Sequence, residues 1–135
     1  MLVVPAAAVI EQAVKMTVEY TQQRKAFSQS VADFQNTRFK LAECATLAHI
    51  VRTFVNDCTQ RLLDGKLDDE AAYMAKWWCS EQQGKVVDEC LQLFGGYGYM
   101  AEYPIARLYA DARVQRIYGG TTEIMKDLIA RRLFR

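Results

Sequence analysis

Gln92-Leu93-Phe94-Gly95-Gly96-Tyr97-Gly98-Tyr99, then Glu102-Tyr103-Pro104, Asp111-Ala112-Arg113 and Ile117-Tyr118-Gly119-Gly120-Thr121-Thr122-Glu123-Ile124, is the stretch that decides how this chain is read. Two glycine turns separate apolar segments of helical period. The second turn runs into hydroxyl residues that suit a helix N-cap, where unpaired backbone N–H groups face outward and an anion or a carbonyl oxygen could sit. A glycine turn before a threonine cap is more often a plain helix connection, so the pattern gains weight only from what surrounds it.

Working outward, Asp68 or Asp69 caps a helix that continues to about Phe94, with Ala72, Ala75, Cys79, Val86, Cys90 and Leu93 on one apolar face and Trp77 and Trp78 widening it. Asp64-Gly65-Lys66-Leu67 is the turn before it. A longer helix is expected from Phe34-Gln35 to about Leu63, roughly 45 Å in length. Its buried stripe reads Leu41, Ala45, Ala48, Val51, Val55, Cys58 and Leu62. From Pro5 to about Phe27, the spacing of Ala6, Ile10, Ala13, Thr17 and Thr21 marks a first helix, with Glu11, Lys15 and Glu19 as a mutually paired solvent row. Arg24 reads locally as positive charge at the negative end of that helix. Downstream, Pro104 starts a short helix through Ile105, Leu108, Tyr109 and Ala112, and a last helix begins near Thr121 and carries Ile124, Leu128 and Ile129. No alternating strand pattern and no internal repeat is visible. The predicted fold is all-α, an up-and-down helical bundle of three long helices and a short pair.

Composition narrows the function. At 135 residues the chain has the size of one domain, and 17 Lys+Arg against 16 Asp+Glu leave a net charge of +1. With no basic stripe, nucleic acid is not an expected partner. Cys44, Cys58, Cys79 and Cys90 lack C-x-x-C spacing and read as small buried apolar residues in a reducing compartment. His49 is the only histidine and has no second ligand at helical spacing, so no metal site is expected. The apolar opening lacks a basic segment and flows into the amphipathic Glu11 to Tyr20 run. It therefore reads as helix, with neither export nor a membrane span.

At Arg24-Lys25-Ala26-Phe27, Gln35, Gln92 to Tyr99, Glu102-Tyr103-Pro104, Asp111-Ala112-Arg113 and Ile117 to Thr121 the chain resembles the C-terminal helical domain of acyl-CoA dehydrogenases, in order and in spacing over residues 1–135. A complete subunit of that family also has an N-terminal helical domain and a middle β-barrel. The resemblance implies FAD as cofactor, an acyl-CoA thioester as substrate, and α,β-dehydrogenation of the kind used in fatty-acid β-oxidation. It further implies an electron-transfer flavoprotein as electron acceptor and a homo-oligomer, usually a tetramer, with flavin sites between subunits. Residue by residue it puts Arg24, Gln35, Gln92, Gly95, Gly96, Thr121 and Glu123 against the flavin. Gly119 and Gly120 fall at the substrate, the Gly119 N–H helping to polarise the thioester carbonyl.

The departures are as informative. Many members carry the catalytic glutamate at the position of Gly119. Glycine there resembles the long-chain and isovaleryl branch, whose base lies at the start of the first helix, which by register falls just upstream of Met1. No catalytic base is therefore assigned within the chain, and Glu11 and Glu19 read as surface carboxylates. Ser28 stands where the family usually has glycine, Phe94 where histidine is common, and Glu123 where glutamine often meets the flavin. The expectation is the C-terminal part of such an enzyme, inactive on its own. The alternative, from a different class, is a non-catalytic helical oligomerisation or interaction module. The opening Met without a transit segment points to a cytoplasmic location, with the mitochondrial matrix as the alternative.

Overall fold

The computed structural model describes residues 2–134. Helices α1 (Val3–Gln23), α2 (Gln35–Leu63), α3 (Asp69–Phe94), α4 (Pro104–Val114) and α5 (Thr122–Leu133) follow one another, with a two-residue ladder, β1 (Lys25–Ala26) and β2 (Gln29–Ser30), between the first two. Pro5 falls in the first turn of α1, where its missing N–H deprives the helix of nothing. The Asp68 carboxylate starts α3 by accepting from the Ala71 N–H at 2.7 Å, and Thr121 starts α5 by accepting from the Ile124 N–H at 3.3 Å. This is the expected all-α bundle.

Side-chain pairs fix the directions of the long helices. Lys40 meets Glu89 and Phe54 meets Trp78, so α2 and α3 run antiparallel. Tyr20 stacks on Phe94, with ring centroids 4.1 Å apart, so α1 and α3 end at the same pole. The core between them consists of Ile10, Ala13, Val51, Val55, Cys58, Ala75, Cys79, Val86, Val87 and Cys90, with Ile105 of α4 closing it. Each fully buried aliphatic side chain contributes about 1.5–3 kcal/mol over its exposed state. The cysteines are buried thiols as expected, and burial pushes Cys79 up to about 12.

Several local expectations shift. Helix α1 stops at Gln23 rather than near Phe27, because Arg24 turns extended and Phe27 and Ser28 take φ of +52° and +66°. These two residues form the turn of a hairpin that pairs Ala26 with Gln29, a ladder too short to leave an alternating signature. On α2 the buried position is Cys44 rather than Ala45, and Leu62 is exposed, since the stripe drifts with the 3.6-residue period. On α5 the inward residues are Thr122 and Met125 while Ile124 faces out. Glu11 does not join a row along its own helix. It grips Arg52 of α2 with both oxygens, at 2.6 and 2.7 Å.

Candidate functional site

The first glycine turn forms one wall of a cleft of about 420 Å³ whose lining includes Tyr20, Arg24, Gln92, Gly95, Gly96 and Tyr97. Four of the seven residues expected at the flavin thus come together from the ends of α1 and α3. Gly95 ends α3 with φ +61°, the left-handed region that glycine enters at no steric cost. Gly96 has no such φ, and a Cβ on it would meet nothing within 4 Å. Nothing among the described residues requires Gly96 to lack a side chain; what the glycine provides is exposed backbone that a ligand can approach closely.

Arg24 is held over the Tyr97 ring, its guanidinium carbon 5.3 Å from the centroid. Tyr97 leans on Tyr103, Tyr103 on Phe94, and Phe94 on Tyr20, whose hydroxyl donates to the Phe94 carbonyl at 3.3 Å. Burial raises the Tyr20 phenol, against the lowering effect of Arg24. Held on this aromatic stack, the forked donor of Arg24 lines the cleft and has no carboxylate partner among the described residues. Phe94, where histidine is common in the resemblance, is therefore a packing element of the stack.

The other expected residues lie elsewhere. Gln35 opens α2 in a separate hollow of about 520 Å³ with Asp33, Arg38 and Phe39. Thr121 and Glu123 share a small hollow of about 120 Å³ with Glu81, Arg113 and Arg116. The Glu123 carboxyl is held below the usual carboxylate range first by its own backbone N–H and then by the Thr121 hydroxyl, so it already answers the positive end of α5.

The second glycine turn is packed where the first is open. Gly119 has φ +64° and Gly120 φ +100°; a Cβ on Gly119 would overlap the Leu2 side chain, and one on Gly120 would overlap Met125. The start of α1 therefore abuts Gly119. Two side chains of α3, which carried no site assignment from the sequence, hold this turn. The buried Lys76 ammonium donates to the carbonyls of Gln115, at 3.0 Å, and Gly120. Glu81 accepts from the Thr122 hydroxyl at 3.1 Å and from Arg116 at 3.3 Å. The signal for Lys76 was its place in line with Ser80, Gln83 and Val87, an inward row on a helix that packs against four others.

The two turns stand at opposite poles. Leu2 to Tyr20 along α1 and Lys76 to Phe94 along α3 each span eighteen residues, about 27 Å at 1.5 Å per residue. No cluster of potential metal ligands and no helix long and apolar enough to cross a membrane occurs among the described residues.

The chain belongs to the acyl-CoA dehydrogenase family, matching the family model "Acyl-CoA dehydrogenase, C-terminal domain" over residues 1–134. It is similar to the mitochondrial long-chain specific acyl-CoA dehydrogenase of Mus musculus, 55% identical over 117 residues, which cover 87% of this chain and 27% of that protein. Among solved structures it superposes on an acyl-CoA dehydrogenase from Geobacillus kaustophilus with a TM-score of 0.95 and 44% identity, over 98% of this chain and 35% of that one. Butyryl-CoA dehydrogenase from Megasphaera elsdenii gives a TM-score of 0.95 with 34% identity, over 99% of this chain and 35% of that one. The chain thus spans about a quarter to a third of the length of these relatives.

Proposed function

We propose that residues 1–135 are the C-terminal helical domain of an FAD-dependent acyl-CoA dehydrogenase of the long-chain and isovaleryl type, acting in α,β-dehydrogenation of acyl-CoA thioesters. The observation that carries this reading is the meeting of Arg24, from the end of α1, with Gln92, Gly95 and Gly96, from the end of α3, in one open cleft. The residues fit a dinucleotide. Arg24 offers paired donors suited to a pyrophosphate, and Gly95 and Gly96 leave bare backbone beside it. When bound, FAD supplies the acceptor for the β-hydride.

The Gly119 N–H would donate to the thioester carbonyl and so stabilise the negative charge that develops as the α-proton leaves. Gly119 itself has no side chain to take that proton, and Leu2 fills the space a side chain would enter. Because the start of α1 abuts this turn, a carboxylate just ahead of Met1 would arrive at the same place, which supports the long-chain-type base. Glu11 is a poor candidate: it lies about 14 Å along α1 from Leu2, and the Arg52 hydrogen bonds hold its carboxyl below the usual range.

Clusters about 27 Å apart on one chain would meet the same flavin most simply from different copies. This supports a homo-oligomer, a tetramer by family habit, with an electron-transfer flavoprotein as the electron acceptor. The four buried free thiols suit a reducing compartment, bacterial cytoplasm or mitochondrial matrix.

The test is flavin spectroscopy. In a complete subunit bearing this segment, Arg24→Ala should weaken FAD retention by about 10–100-fold, the scale of a lost charge-assisted hydrogen bond, with helical content intact. Unchanged FAD affinity would reduce Arg24 to a helix-end charge. The 135-residue chain by itself should not bleach FAD on addition of a long-chain acyl-CoA; turnover abolished by Glu11→Ala would overturn the placement of the base.

A further inference from the structure

Lys76 is the one lysine buried in the bundle, at 8% exposure, and no carboxylate lies within ion-pair distance of it among the described residues. Removing an ammonium from water without a counter-charge is costly, and the group persists only where its donors find acceptors. It finds two, and their positions are specific. The Gln115 carbonyl closes α4, and the Gly120 carbonyl stands immediately before Thr121, the N-cap of α5. One nitrogen thereby clasps both ends of the loop that contains Gly119.

The peptide plane turns this clasp into an aiming device. The carbonyl of Gly120 and the N–H of Thr121 belong to one planar trans unit and point in opposite directions. With the carbonyl drawn toward α3, the Thr121 N–H is directed away from α3. Gly120, at φ +100°, is a residue whose peptide would otherwise rotate freely. We infer that Lys76 is a positioning residue of the second glycine turn, holding the Gly120 carbonyl inward so that the Thr121 N–H faces outward as a fixed donor to an acceptor oxygen of the cofactor. The inference rests on the reading of Thr121 as a flavin contact, and it adds to that reading the residue that orients the contact.

The test uses the whole chain and its own opposite pole as the control. In the wild-type protein, the Lys76 ammonium should exchange slowly with water and show a through-hydrogen-bond coupling from its nitrogen to the Gly120 carbonyl carbon by NMR. Absence of both would overturn the inference without any variant. In Lys76→Met, which keeps most of the stem and loses the donors, the amide signals of Gly119, Gly120 and Thr121 should shift and lose order while those of Gly95 and Gly96 stay in place. Titration with FAD, and separately with inorganic pyrophosphate, should show the response at Thr121 weakened at least fivefold, with the response at Arg24 unchanged. Equal losses at both poles would mean that Lys76 only supports the fold and would overturn the inference, as would unmoved signals at Gly119 to Thr121. Should Lys76→Met fail to fold, Lys76→Gln, which can still donate to one carbonyl, should give an intermediate response at Thr121, and a wild-type response there would overturn the inference. If the wild-type chain answers neither ligand at either pole, the flavin reading is decided by Arg24→Ala in a complete subunit, and the coupling and amide comparison still decide whether Lys76 aims this peptide.

Discussion

The same dipeptide occurs twice, and the two copies are glycine for different reasons. At Gly95-Gly96 the space a side chain would fill is empty, and only Gly95 needs its positive φ. At Gly119-Gly120 both residues have positive φ and both sites are already filled, by Leu2 and Met125. One turn is open backbone held by aromatic stacking from behind. The other is a packed joint held by a buried ammonium and a carboxylate. An open turn can admit a large ligand such as a dinucleotide, whereas a packed one can only present single donors at a fixed angle.

The largest effect that would break this contrast comes from matched alanines. Gly120→Ala places a side chain at φ +100° and should cost about 1–3 kcal/mol, the flexible end of Met125 giving way to the new methyl. Gly96→Ala should cost less than about 0.5 kcal/mol, having no such strain. Urea unfolding of the two variants gives the comparison directly, and similar costs at both sites would end the distinction.

Gly98 sharpens it from within the first turn. Its φ is ordinary, yet a Cβ there would stand 2.6 Å from the Leu91 carbonyl and 3.0 Å from the Phe94 Cβ. Backbone cannot step aside, so Gly98→Ala should destabilise by about 1–3 kcal/mol. A neutral result would show that the end of α3 is looser than its packing against Tyr103 implies.

The hairpin beside Arg24 gives a smaller effect of opposite sign. Phe27 and Ser28 occupy the left-handed region without being glycine, and a non-glycine residue there costs roughly 1 kcal/mol or more. Ser28→Gly should therefore raise stability by about 0.5 kcal/mol, the rest of the relief being returned as unfolded-state entropy. Thermal unfolding reads this, and a lower midpoint would mean that the Ser28 side chain does something the strain argument misses.

These contrasts also separate what was legible in the sequence from what was not. Helices α2 and α3 announced their ends through local chemistry, with Asp68 as a cap and Asp64-Gly65 as a turn, and the ends fall where those residues stand. The gathering of Arg24, Gln92, Gly95 and Gly96 was legible only through family spacing, because no period relates residues on two different helices. The role of Leu2 was not legible at all, since contact between the first helix and the loop before the last depends on how five helices stack. Lys76 was hidden for a related reason. A lysine on a helix is ordinarily solvated, and only the approach of α4 and α5 to the same side of α3 buries it. The paired row of Glu11, Lys15 and Glu19 failed because the Arg52 fork, arriving from another helix, is a stronger partner than a lysine one turn away.

That last substitution of partners gives the mildest test, placed midway between the two poles. Arg52 hydrogen bonds hold the Glu11 carboxyl below its ordinary value of 4.5, burial opposing them and the Arg52 charge adding to them. A carboxyl depressed in the folded state stabilises the fold in full above the unfolded value and loses that contribution as pH falls through the folded one. The Glu11 and Arg52 side chains are 45% and 31% exposed, so solvent screening keeps the contribution below about 1 kcal/mol. Between about pH 5 and pH 3 the wild type should therefore lose slightly more stability than Glu11→Gln, and the two denaturation curves should converge at the acid end. Parallel curves across that range would mean that the pair contributes nothing in solution. Glu11 would then be a free carboxylate, and its dismissal as a proton acceptor would have to rest on its distance from Gly119 alone.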